Sequence, residues 1–580
     1  MKSLIRKARH VLDDPVLRRW LVRRLAGLEK PPPVFVAGQP PYLPAVTQDA
    51  ARADTCIEGF PAGSFQPPQL PIAIFLPGRT VELAPEDPSA LFTQSYDDLE
   101  TQLAAHRFAW VPIAGDAVDP DWVAALWGAW ADRFGSGESG WPWHAYTAAE
   151  RAINIIDFAR RFGLPGEPDE TGALLVRHAE IIRGNLEYFG EHYTSNHLSN
   201  NGRGLLRIGT ALGRDDHAET GAKIMVAEAG RIFGRSGMLR EGSTHYHLLL
   251  TRNYIDAWLD AKSAGLEQAA MLRDIAERAL AVIPGLCLPG GLPLIGDISP
   301  DVPPAFLAAL SGHDDPAAWP VNLPEDRRRD ARSFIGSNNP VSPDRLAGDG
   351  WHRFGGHGWQ ALAFVSPNGW PPMPGHGHND LGSFELHDGA TPVIIDPGRG
   401  TYVDTVYADA DMHNYITIDD AGPMAVNRPY YSGVFRRGVI GATPTMSRTR
   451  DGRILCHEGF SRYSKVGAAE REWRFHEGRI EIVDRIAGRG HHRIRRRFFT
   501  GADASISDAG AVLAVQNRTY CMSSTVPPTI GETICWTGYG RDRPGRLIVF
   551  DQPVSLPFEM KTVITRLSGD ASPGTWTAST

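Results

Sequence analysis

The sequence predicts a multidomain α + β protein in which an N-terminal (α/α) toroid is followed by a C-terminal antiparallel β-sandwich. Three observations support this prediction. At 580 residues the chain is too long for a single hydrophobic core. Between residues 85 and 335 apolar residues recur with the spacing of amphipathic helices. After residue 350 they alternate with polar residues instead, as in half-buried strands.

The domain boundaries follow from these changes of pattern. Residues 1–84 predict a basic N-terminal helix and a proline-rich arm, with a short strand pair around Pro77-Gly78. Residues 85–335 predict the toroid, because successive helices of similar length, mostly closed by glycine, suit stacked helical hairpins. Residues 336–350 have the Gly, Asn, Pro and Asp content of a linker, and residues 351–580 predict the β-sandwich.

The N-terminal helix and the composition limit the partners of the chain. The helix either lies on a membrane surface or packs on the protein, and we favour packing; no apolar run is long enough for an integral membrane span. A net charge of −8 argues against a nucleic-acid partner. Five scattered cysteines without a CxxC pattern predict neither a disulfide framework nor a thiolate metal site.

No secretory signal is visible at the N-terminus. We therefore expect a cytoplasmic protein, with a periplasmic location as the alternative. The sequence leaves open whether the chain forms a homodimer.

The sequence GHGHND at residues 375–380 places two histidines beside an asparagine and an aspartate. Two strand-like runs follow, joined by Asp388-Gly389, which is a strong hairpin signal. This hairpin would return Asp396 towards His378, and His413 opens a third strand-like run. The three side chains then offer a nitrogen, an oxygen and a nitrogen, which suits Zn²⁺. A hairpin with polar turns and surface histidines is the alternative.

Two polar clusters interrupt the helical pattern. The first, YTSNHLSNN at residues 193–201, contains Asn196 and His197, and has more polar side chains than one helix cap requires. The second, REGSTHYH at residues 240–247, brings Glu, His and Tyr side chains to the start of an apolar helix. Because such groups are costly to bury unpaired, the second cluster is interpreted as lining a cleft. A buried tyrosine flanked by exposed histidines is the alternative for the second.

A weaker third cluster, WPWHAY at residues 141–146, is followed by Arg151. Aromatic faces beside an arginine suit a sugar ring and its carboxylate. Core packing explains the aromatic residues nearly as well.

Taken together, these clusters resemble motifs of the heparinase II/III-like polysaccharide lyases. Asn196-His197 is similar to the family's Asn-His segment, and residues 241–247 are similar to its Glu-x-Ser-x-x-Tyr-His segment. Residues 375–380, with Asp396 and His413, resemble its C-terminal motif. The resemblance implies a toroid followed by a sandwich. It also implies β-elimination at a 4-linked uronate of an acidic polysaccharide or oligosaccharide.

The resemblance also implies roles for individual residues. We expect Tyr246 to act as the catalytic acid/base and His197, Asn196 and His376 to take part in catalysis. A structural zinc ion would bind His378, Asp396 and His413. Substrate-binding roles are expected for Arg151, His144, Glu241, His247, Asn379 and Tyr402, and Tyr402 or Tyr407 could be a second acid or base.

Two other functional classes stay open. A hydrolase would require a pair of carboxylic acids, and Glu241 and Asp380 are available without an obvious partner. The second class is a non-catalytic glycan-binding protein of surface-polysaccharide metabolism. The sequence does not identify the uronate polymer, and both degradative and biosynthetic contexts fit it.

Overall fold

The structure is a computed structural model. It describes residues 14–29, 36–44, 57, 59–191, 193–313, 315, 318–370, 375–463 and 465–567. Parts of the predicted N-terminal helix and proline-rich arm, and the last thirteen residues of the predicted sandwich, lie outside the described residues.

Helices make up most of the chain between residues 90 and 348, and helices also lie at residues 15–25 and 433–440. They are α1 Pro15–Leu25, α2 Ala90–Thr93, α3 Leu99–Arg107, α4 Trp110–Ala114, α5 Pro120–Phe134, α6 Ala145–Phe162, α7 Pro168–Gly184, α8 Asn196–Ala211, α9 Asp215–Ile232, α10 Thr244–Ser263, α11 Ala269–Leu280, α12 Ile283–Leu286, α13 Glu325–Gly336, α14 Pro343–Gly348 and α15 Gly433–Ile440. Short 3₁₀ helices lie at Gly115–Ala117, Trp141–Trp143, Pro304–Ser311, Trp319–Asn322, Val406–Ala408, Ala410–Met412 and Gly459–Arg462.

Helix α5 illustrates why these segments are helical. The Asp119 side chain caps its N-terminus by accepting hydrogen bonds from two backbone amides, and Pro120 occupies the first helical position. Trp122, Leu126 and Trp130 recur on one face and are buried in the helical core. The apolar periodicity of the sequence therefore predicts both the helix and the face that it buries.

The antiparallel strands lie mostly after residue 350, apart from a pair at residues 72–83. They are β1 Ile72–Leu76, β2 Arg79–Leu83, β3 Trp351–Gly356, β4 Trp359–Phe364, β5 Glu385–Asp388, β6 Thr391–Ile394, β7 Ile416–Ile418, β8 Thr445–Arg448, β9 Gly452–His457, β10 Val466–His476, β11 Arg479–Thr500, β12 Asp503–Ser507, β13 Gly510–Val515, β14 Arg518–Ser524, β15 Thr529–Gly538 and β16 Arg541–Leu567. The β1–β2 pair confirms the strand pair predicted around Pro77-Gly78.

Two sheets share the C-terminal core. One has the order β3-β4-β5-β6; the other runs β12-β13-β14-β16-β11-β10-β9-β8, with β7 on β11 and β15 on β16. Trp359 of the first sheet and Trp473 of the second are buried in one hydrophobic cluster. The rings of Phe354 and Trp473 meet edge to face at 5.2 Å. The structure thus confirms the prediction that a helical part is followed by antiparallel sheets.

The predicted hairpin in the C-terminal part is confirmed as well. Strands β5 and β6 pair in antiparallel register with Asp388 opposite Thr391. Gly389 in the turn has φ +56°, a left-handed conformation that glycine adopts without steric cost. The hairpin places Asp396, just beyond β6, beside the loop that carries residues 375–380.

That loop is bound to the helical half through its backbone. The His376 amide donates to the Glu241 carbonyl oxygen at 2.7 Å, and the Asp297 amide donates to the His376 carbonyl oxygen at 2.9 Å. Gly296 makes the close approach possible, because a Cβ atom there would lie 2.5 Å from the Gly242 carbonyl oxygen. The histidine-rich loop therefore meets the start of helix α10, where a second polar cluster was predicted.

Helix α1 packs on the C-terminal part, as favoured from the sequence. Val16, Leu17 and Trp20 are buried in the cluster between the sheets, and the Trp20 ring lies 4.5 Å from the Tyr430 ring. Among the described residues, no helix combines the length and the apolar character required to cross a membrane. The segment predicted as a linker carries α14, whose Leu346 is buried against Trp351 and its neighbours.

Candidate active site

The first turn of helix α10 presents Tyr246. Ser243 is the N-cap residue, and its side chain accepts a hydrogen bond from the Tyr246 amide at 3.1 Å. Glu241 and Gly242 therefore precede the helix instead of lying on it. The cap fixes the direction of the Tyr246 side chain, whose exposure is only 7%.

Tyr246 lies between two side chains of the C-terminal part. Its ring stacks on the imidazole of His376, with centroids 3.5 Å apart and an interplanar angle of 12°. Its phenol oxygen lies 2.7 Å from that of Tyr402. Tyr402 in turn holds its place because its amide donates to the Tyr539 phenol oxygen at 2.9 Å.

The environment makes the phenols weak acids. Burial raises the pKa of Tyr246 well above 10, and its neighbours Tyr402 and Tyr146 add to the effect. Burial also raises the pKa of Tyr402, as does the negative charge of Asp297. Both phenols therefore keep their protons at neutral pH.

Asp297 orders the histidine-rich loop from the helical side. One carboxylate oxygen accepts from His376 Nδ1 at 3.1 Å. The other accepts from His378 Nε2 and from Arg399 Nη1, each at 2.8 Å. Burial alone would raise the pKa of this carboxyl, but the hydrogen bonds and charges of the two histidines lower it. Asp297 therefore remains charged and fixes the orientation of both imidazoles.

Asn196 begins helix α8 on the opposite side of His376. Its side-chain nitrogen donates to Glu241 at 2.8 Å and lies 3.3 Å from His376 Nε2. The other oxygen of Glu241 accepts from the Asn196 amide at 3.0 Å. His376 bonds Asp297 through Nδ1, and its Nε2 faces the Asn196 side chain and, at 3.4 Å, a carboxylate oxygen of Glu241.

His197, next to Asn196, contacts a carboxylate that the sequence did not single out. Its Nδ1 donates to Glu187 at 2.8 Å, while 43% of its side chain is exposed. Burial would lower the pKa of His197, but the Glu187 charge and hydrogen bond more than compensate and raise it. His144 Nε2 lies 3.6 Å from the same carboxylate, and the Tyr146 ring lies 4.6 Å from the His197 ring.

The predicted zinc residues come close to one another without forming a complete metal site. His413 Nδ1 donates to Asp396 at 2.8 Å, and the His378 and His413 rings are 5.3 Å apart. His378 Nδ1 and His413 Nε2 are buried and find no hydrogen-bond partner in the described part of the chain. Within the same residues, no three His, Cys, Asp or Glu side chains are arranged to hold a metal ion. Zinc therefore stays a prediction.

Two substrate-binding predictions are contradicted by the structure. Arg151 is fully buried, stacks on Trp130 with its guanidinium 3.8 Å from the ring centroid, and donates to His178. His247 is also fully buried, because its ring bonds to the backbone at Leu239 and Ala279 in the helical core. Both side chains make their polar contacts inside the helical half, where they are not accessible to a ligand.

Asn379 lies at the edge of the site, where its side chain donates to the Met424 carbonyl oxygen at 2.8 Å. The Tyr407 ring packs edge-on against Trp536 at 5.5 Å, so Tyr407 belongs to a different contact from the Tyr246–Tyr402 pair. The structure thus brings Tyr402, not Tyr407, to Tyr246.

Three residues of the site were missed: Glu187, Asp297 and Arg399. Asp297 is the single carboxylate in the otherwise apolar run LPLIGDIS, which is the one available sequence signal. Arg399, in the turn after β6, has its guanidinium 4.7 Å from the Tyr402 ring centroid and bonds Asp297. Glu187 stands in an ordinary helix-to-helix connection and carries no such signal.

Comparisons with known proteins agree with this architecture. Residues 341–569 match the profile of the family described as Heparinase II/III-like, C-terminal. No curated protein matches this chain by sequence.

Several solved structures have a similar fold. Heparinase III is similar with a TM-score of 0.61 and 15% identity over 83% of this chain and 79% of its own. The heparinase III BT4657 gene product has a TM-score of 0.55 and 15% identity over 83% of each chain. A mutant of the heparan sulfate lyase HepC from Pedobacter heparinus has a TM-score of 0.53 and 15% identity over 83% of this chain and 79% of its own. The resemblance predicted from the motifs is therefore confirmed at the level of similarity: residues 341–569 match the heparinase II/III-like C-terminal family, and the fold is similar to that of solved heparinase structures.

Proposed function

We propose that this chain is a polysaccharide lyase that cleaves a uronate-containing acidic polysaccharide or oligosaccharide by β-elimination. The observation that carries the proposal is the stacking of Tyr246 on His376, with Asn196 3.3 Å from the same imidazole. A proton donor, a proton acceptor and an amide donor thus meet where the helical half faces the sheets. Relatives of similar fold include proteins named heparinase III and heparan sulfate lyase.

The first requirement of this chemistry is to stabilise the charge that builds up on the uronate carboxylate. Removal of the C5 proton delocalises negative charge onto that group, and preorganised donors at this position usually provide the largest part of the rate. In our proposal Asn196 and the imidazolium of His197 hydrogen-bond the carboxylate. The raised pKa of His197 beside Glu187 supports the charged form, and its exposure gives a ligand access.

The second requirement is a matched acid and base. His376 Nε2 takes the C5 proton once Asn196, its neighbour in the unliganded protein, hydrogen-bonds the uronate carboxylate instead, while Nδ1 stays bonded to Asp297. The C4–O4 bond breaks, a double bond forms between C4 and C5, and Tyr246 gives its proton to O4. The raised pKa of Tyr246 supports this assignment, because a protonated phenol is a donor. Acid and base are stacked on one side, so the geometry favours syn elimination.

The hydrolase alternative has less support. Glycoside hydrolysis uses two carboxyl groups facing the scissile bond. Both oxygens of Glu241 already accept hydrogen bonds from Asn196. Asp380 is buried, which raises its pKa to about 6.

We also propose that the helices close into the (α/α) toroid implied by the resemblance. Neighbouring helices pack in sequence, α6 on α7, α7 on α8, α8 on α9 and α10 on α11, as successive hairpins of a ring would. A TM-score of 0.61 with heparinase III over most of the chain supports the same architecture.

A zinc ion at His378, Asp396 and His413 is proposed with an architectural role. Two buried imidazole nitrogens without partners are the observation in its favour. In His378 the opposite ring nitrogen bonds the Asp297 carboxylate, which is the usual support of a metal-binding histidine, and Asp396 lies within 2.8 Å of the His413 ring. Bound zinc would supply a fixed anchor for the loop that carries His376, and no proton-transfer step depends on it.

The decisive experiment is a panel of acidic polysaccharides and oligosaccharides, followed by ultraviolet absorbance. Elimination creates a double bond conjugated with the carboxylate, whereas hydrolysis creates none. We expect absorbance to appear with at least one 4-linked uronate polymer and to disappear in Tyr246→Phe. New reducing ends without new absorbance would show hydrolysis and contradict the proposal.

A further inference from the structure

The N-terminal arm, residues 36–44, lies against the connection between helices α7 and α8. Gly38 and Tyr188 form an antiparallel bridge, in which the Gly38 amide donates to the Tyr188 carbonyl oxygen at 2.8 Å. Tyr188 directly follows Glu187, the carboxylate that bonds His197 Nδ1. The arm therefore fixes the backbone immediately next to the group that holds the proposed carboxylate-binding imidazole.

Tyr42 makes a second contact of the arm, with helix α9. Its phenol donates to one carboxylate oxygen of Glu228 at 2.7 Å. The other oxygen of Glu228 accepts from Arg231 Nε, also at 2.7 Å. Burial and the negative charge of Glu228 hold the pKa of Tyr42 above its ordinary range, so its hydroxyl stays a donor. With both oxygens occupied, the Glu228 carboxylate has one orientation, and that orientation places the Arg231 guanidinium.

Arg231 extends this constraint to the start of helix α8. Its guanidinium donates to the carbonyl oxygen of Thr194 and, at 3.2 Å, to that of Ser195. Ser195 is the N-cap residue of α8, and its hydroxyl accepts from the His197 amide at 3.3 Å. Because the donors of a guanidinium form a rigid planar fork, a displaced Arg231 would displace the cap, and with it Asn196 and His197.

The exposure of Tyr42 separates positioning from packing. The residue is 39% exposed, so its ring adds little to the hydrophobic core, whereas its hydroxyl reaches Glu228, which is only 2% exposed. The neighbouring Leu43 is buried in the helical core and anchors the arm. The arm thus constrains the same connection at two points, directly at Tyr188 and through Glu228 and Arg231 at the cap of α8.

We infer that Tyr42 is a positioning residue for the elimination, because the arm holds the connection that presents Asn196 and His197 to the uronate carboxylate. The inference rests on the proposed function, which assigns those two residues to the carboxylate. Tyr42 contacts neither the reacting groups nor His376, and it acts only through Glu228 and Arg231.

The test compares full-length wild type with Tyr42→Phe, which keeps the ring and removes only the hydroxyl. We expect kcat to fall by about tenfold, the effect of one lost hydrogen bond, while KM changes little because the displaced donors act on charge that develops in the transition state. NMR of the His197 ring should show shifted resonances, since its bond to Glu187 is no longer held in place. Glu228→Gln interrupts the same chain, so adding Tyr42→Phe to it should cause little further loss.

The matched control is Tyr96→Phe, which removes a half-buried hydroxyl that donates to the Leu91 carbonyl oxygen elsewhere in the helical half. It should keep the kcat and the His197 spectrum of the wild type. Unchanged His197 resonances in Tyr42→Phe, or losses that simply add in the double variant with Glu228→Gln, would overturn the positioning role. If the resonances shift but the wild type eliminates no uronate polymer, the proposed function fails while the coupling of the arm to His197 stands.

Discussion

The phenol oxygens of Tyr246 and Tyr402 lie 2.7 Å apart, although 156 residues separate the two tyrosines in the sequence. Tyr246 projects from the first turn of α10, and Tyr402 follows the turn after β6. The hydrogen bond therefore joins the helical half to the C-terminal part at the atom proposed to give up a proton. Any change that separates the two halves would also change the surroundings of that proton.

Replacing Tyr246 by phenylalanine should abolish most of the turnover while the protein stays folded. The ring can remain stacked on His376, so only the hydroxyl and its hydrogen bond to Tyr402 are lost. Loss of a general acid typically lowers the rate by about 10²- to 10⁴-fold. The rate of absorbance increase measures turnover, and the thermal unfolding midpoint shows whether the protein stays folded. Tyr407→Phe serves as the control, and an active Tyr246→Phe protein would refute the assignment.

The pH dependence of activity should reveal the pair of His197 and Glu187. Because Glu187 raises the pKa of His197 above 6.5, its imidazolium persists to higher pH than that of a free histidine. Activity that depends on this charge is present below the raised pKa and is lost as the pH rises through it. The pair's contribution to stability is likewise fully present below about 6.5 and is lost through the same range.

Glu187→Gln removes the negative charge and should move the alkaline limb of the pH–rate profile to lower pH. NMR titration of the His197 ring should show the same shift. Glu191→Gln, an exposed carboxylate on the same connection, is the matched control. Superimposable profiles for wild type and Glu187→Gln would exclude His197 as the charged group.

The sequence predicts the parts of this site that have a local pattern. The clusters around Asn196, Tyr246 and His376 stand out because polar groups interrupt regular apolar periodicity, and the structure brings them together. Glu187 depends on tertiary contact alone, and Asp297 has no local signal beyond its position in an apolar run until the fold places imidazoles beside it.

For Arg151 the error is the opposite one, because the sequence predicts a site residue that the structure places in the core. An arginine near tryptophans and a histidine is consistent with both a sugar-binding surface and a buried cation–π stack, and local sequence cannot distinguish them. The structure shows burial, because the guanidinium lies 3.8 Å from the ring centroid of Trp130 and 5.2 Å from that of Trp143. Desolvation there lowers its pKa well below the ordinary value of arginine.

Asp297→Asn should reduce turnover by about 10- to 100-fold, the usual effect of removing a carboxylate that orients a functional histidine. The amide cannot accept from His376 and His378 and also from Arg399 as the carboxylate does. As a positioning residue, Asp297 should affect kcat more than KM, and NMR should report a changed His376 tautomer. Asp344→Asn, an exposed aspartate in α14, controls for loss of charge. Unchanged kcat would contradict this role.

A buried ion cluster in the larger sheet should dominate the stability of the C-terminal part. Asp484 accepts from Arg471 at 2.7 and 2.9 Å and from Arg496 at 2.7 Å, and all three side chains are buried. Asp484→Asn leaves two buried cations without a counterion and should cost about 3–5 kcal/mol of the free energy of unfolding.

Denaturant unfolding of the Asp484→Asn protein measures this cost. Burial would raise the pKa of Asp484, but the two arginines lower it. Its contribution to stability is thus present above the ordinary aspartate pKa of about 3.9 and is lost as the pH falls towards the lowered value. Asp551→Asn, whose arginine partners are more exposed, should cost about 1 kcal/mol or less. Equal costs for the two variants would contradict the role of burial.

The proposed zinc ion makes the final prediction. Asp396 holds His413 through Nδ1 and also accepts from the Gly398 amide, so Asp396→Ala removes an oxygen donor and frees the His413 ring. Metal content, measured by elemental analysis, and the thermal unfolding midpoint should therefore fall together. A chelator should reproduce the lower midpoint in the wild type but have no effect on the variant. His313→Ala, which changes an exposed histidine, should retain the metal content and the unfolding midpoint of the wild type. If Asp396→Ala keeps its metal, or if purified wild type binds none when zinc is added, the buried nitrogens of His378 and His413 serve another purpose and the zinc assignment fails.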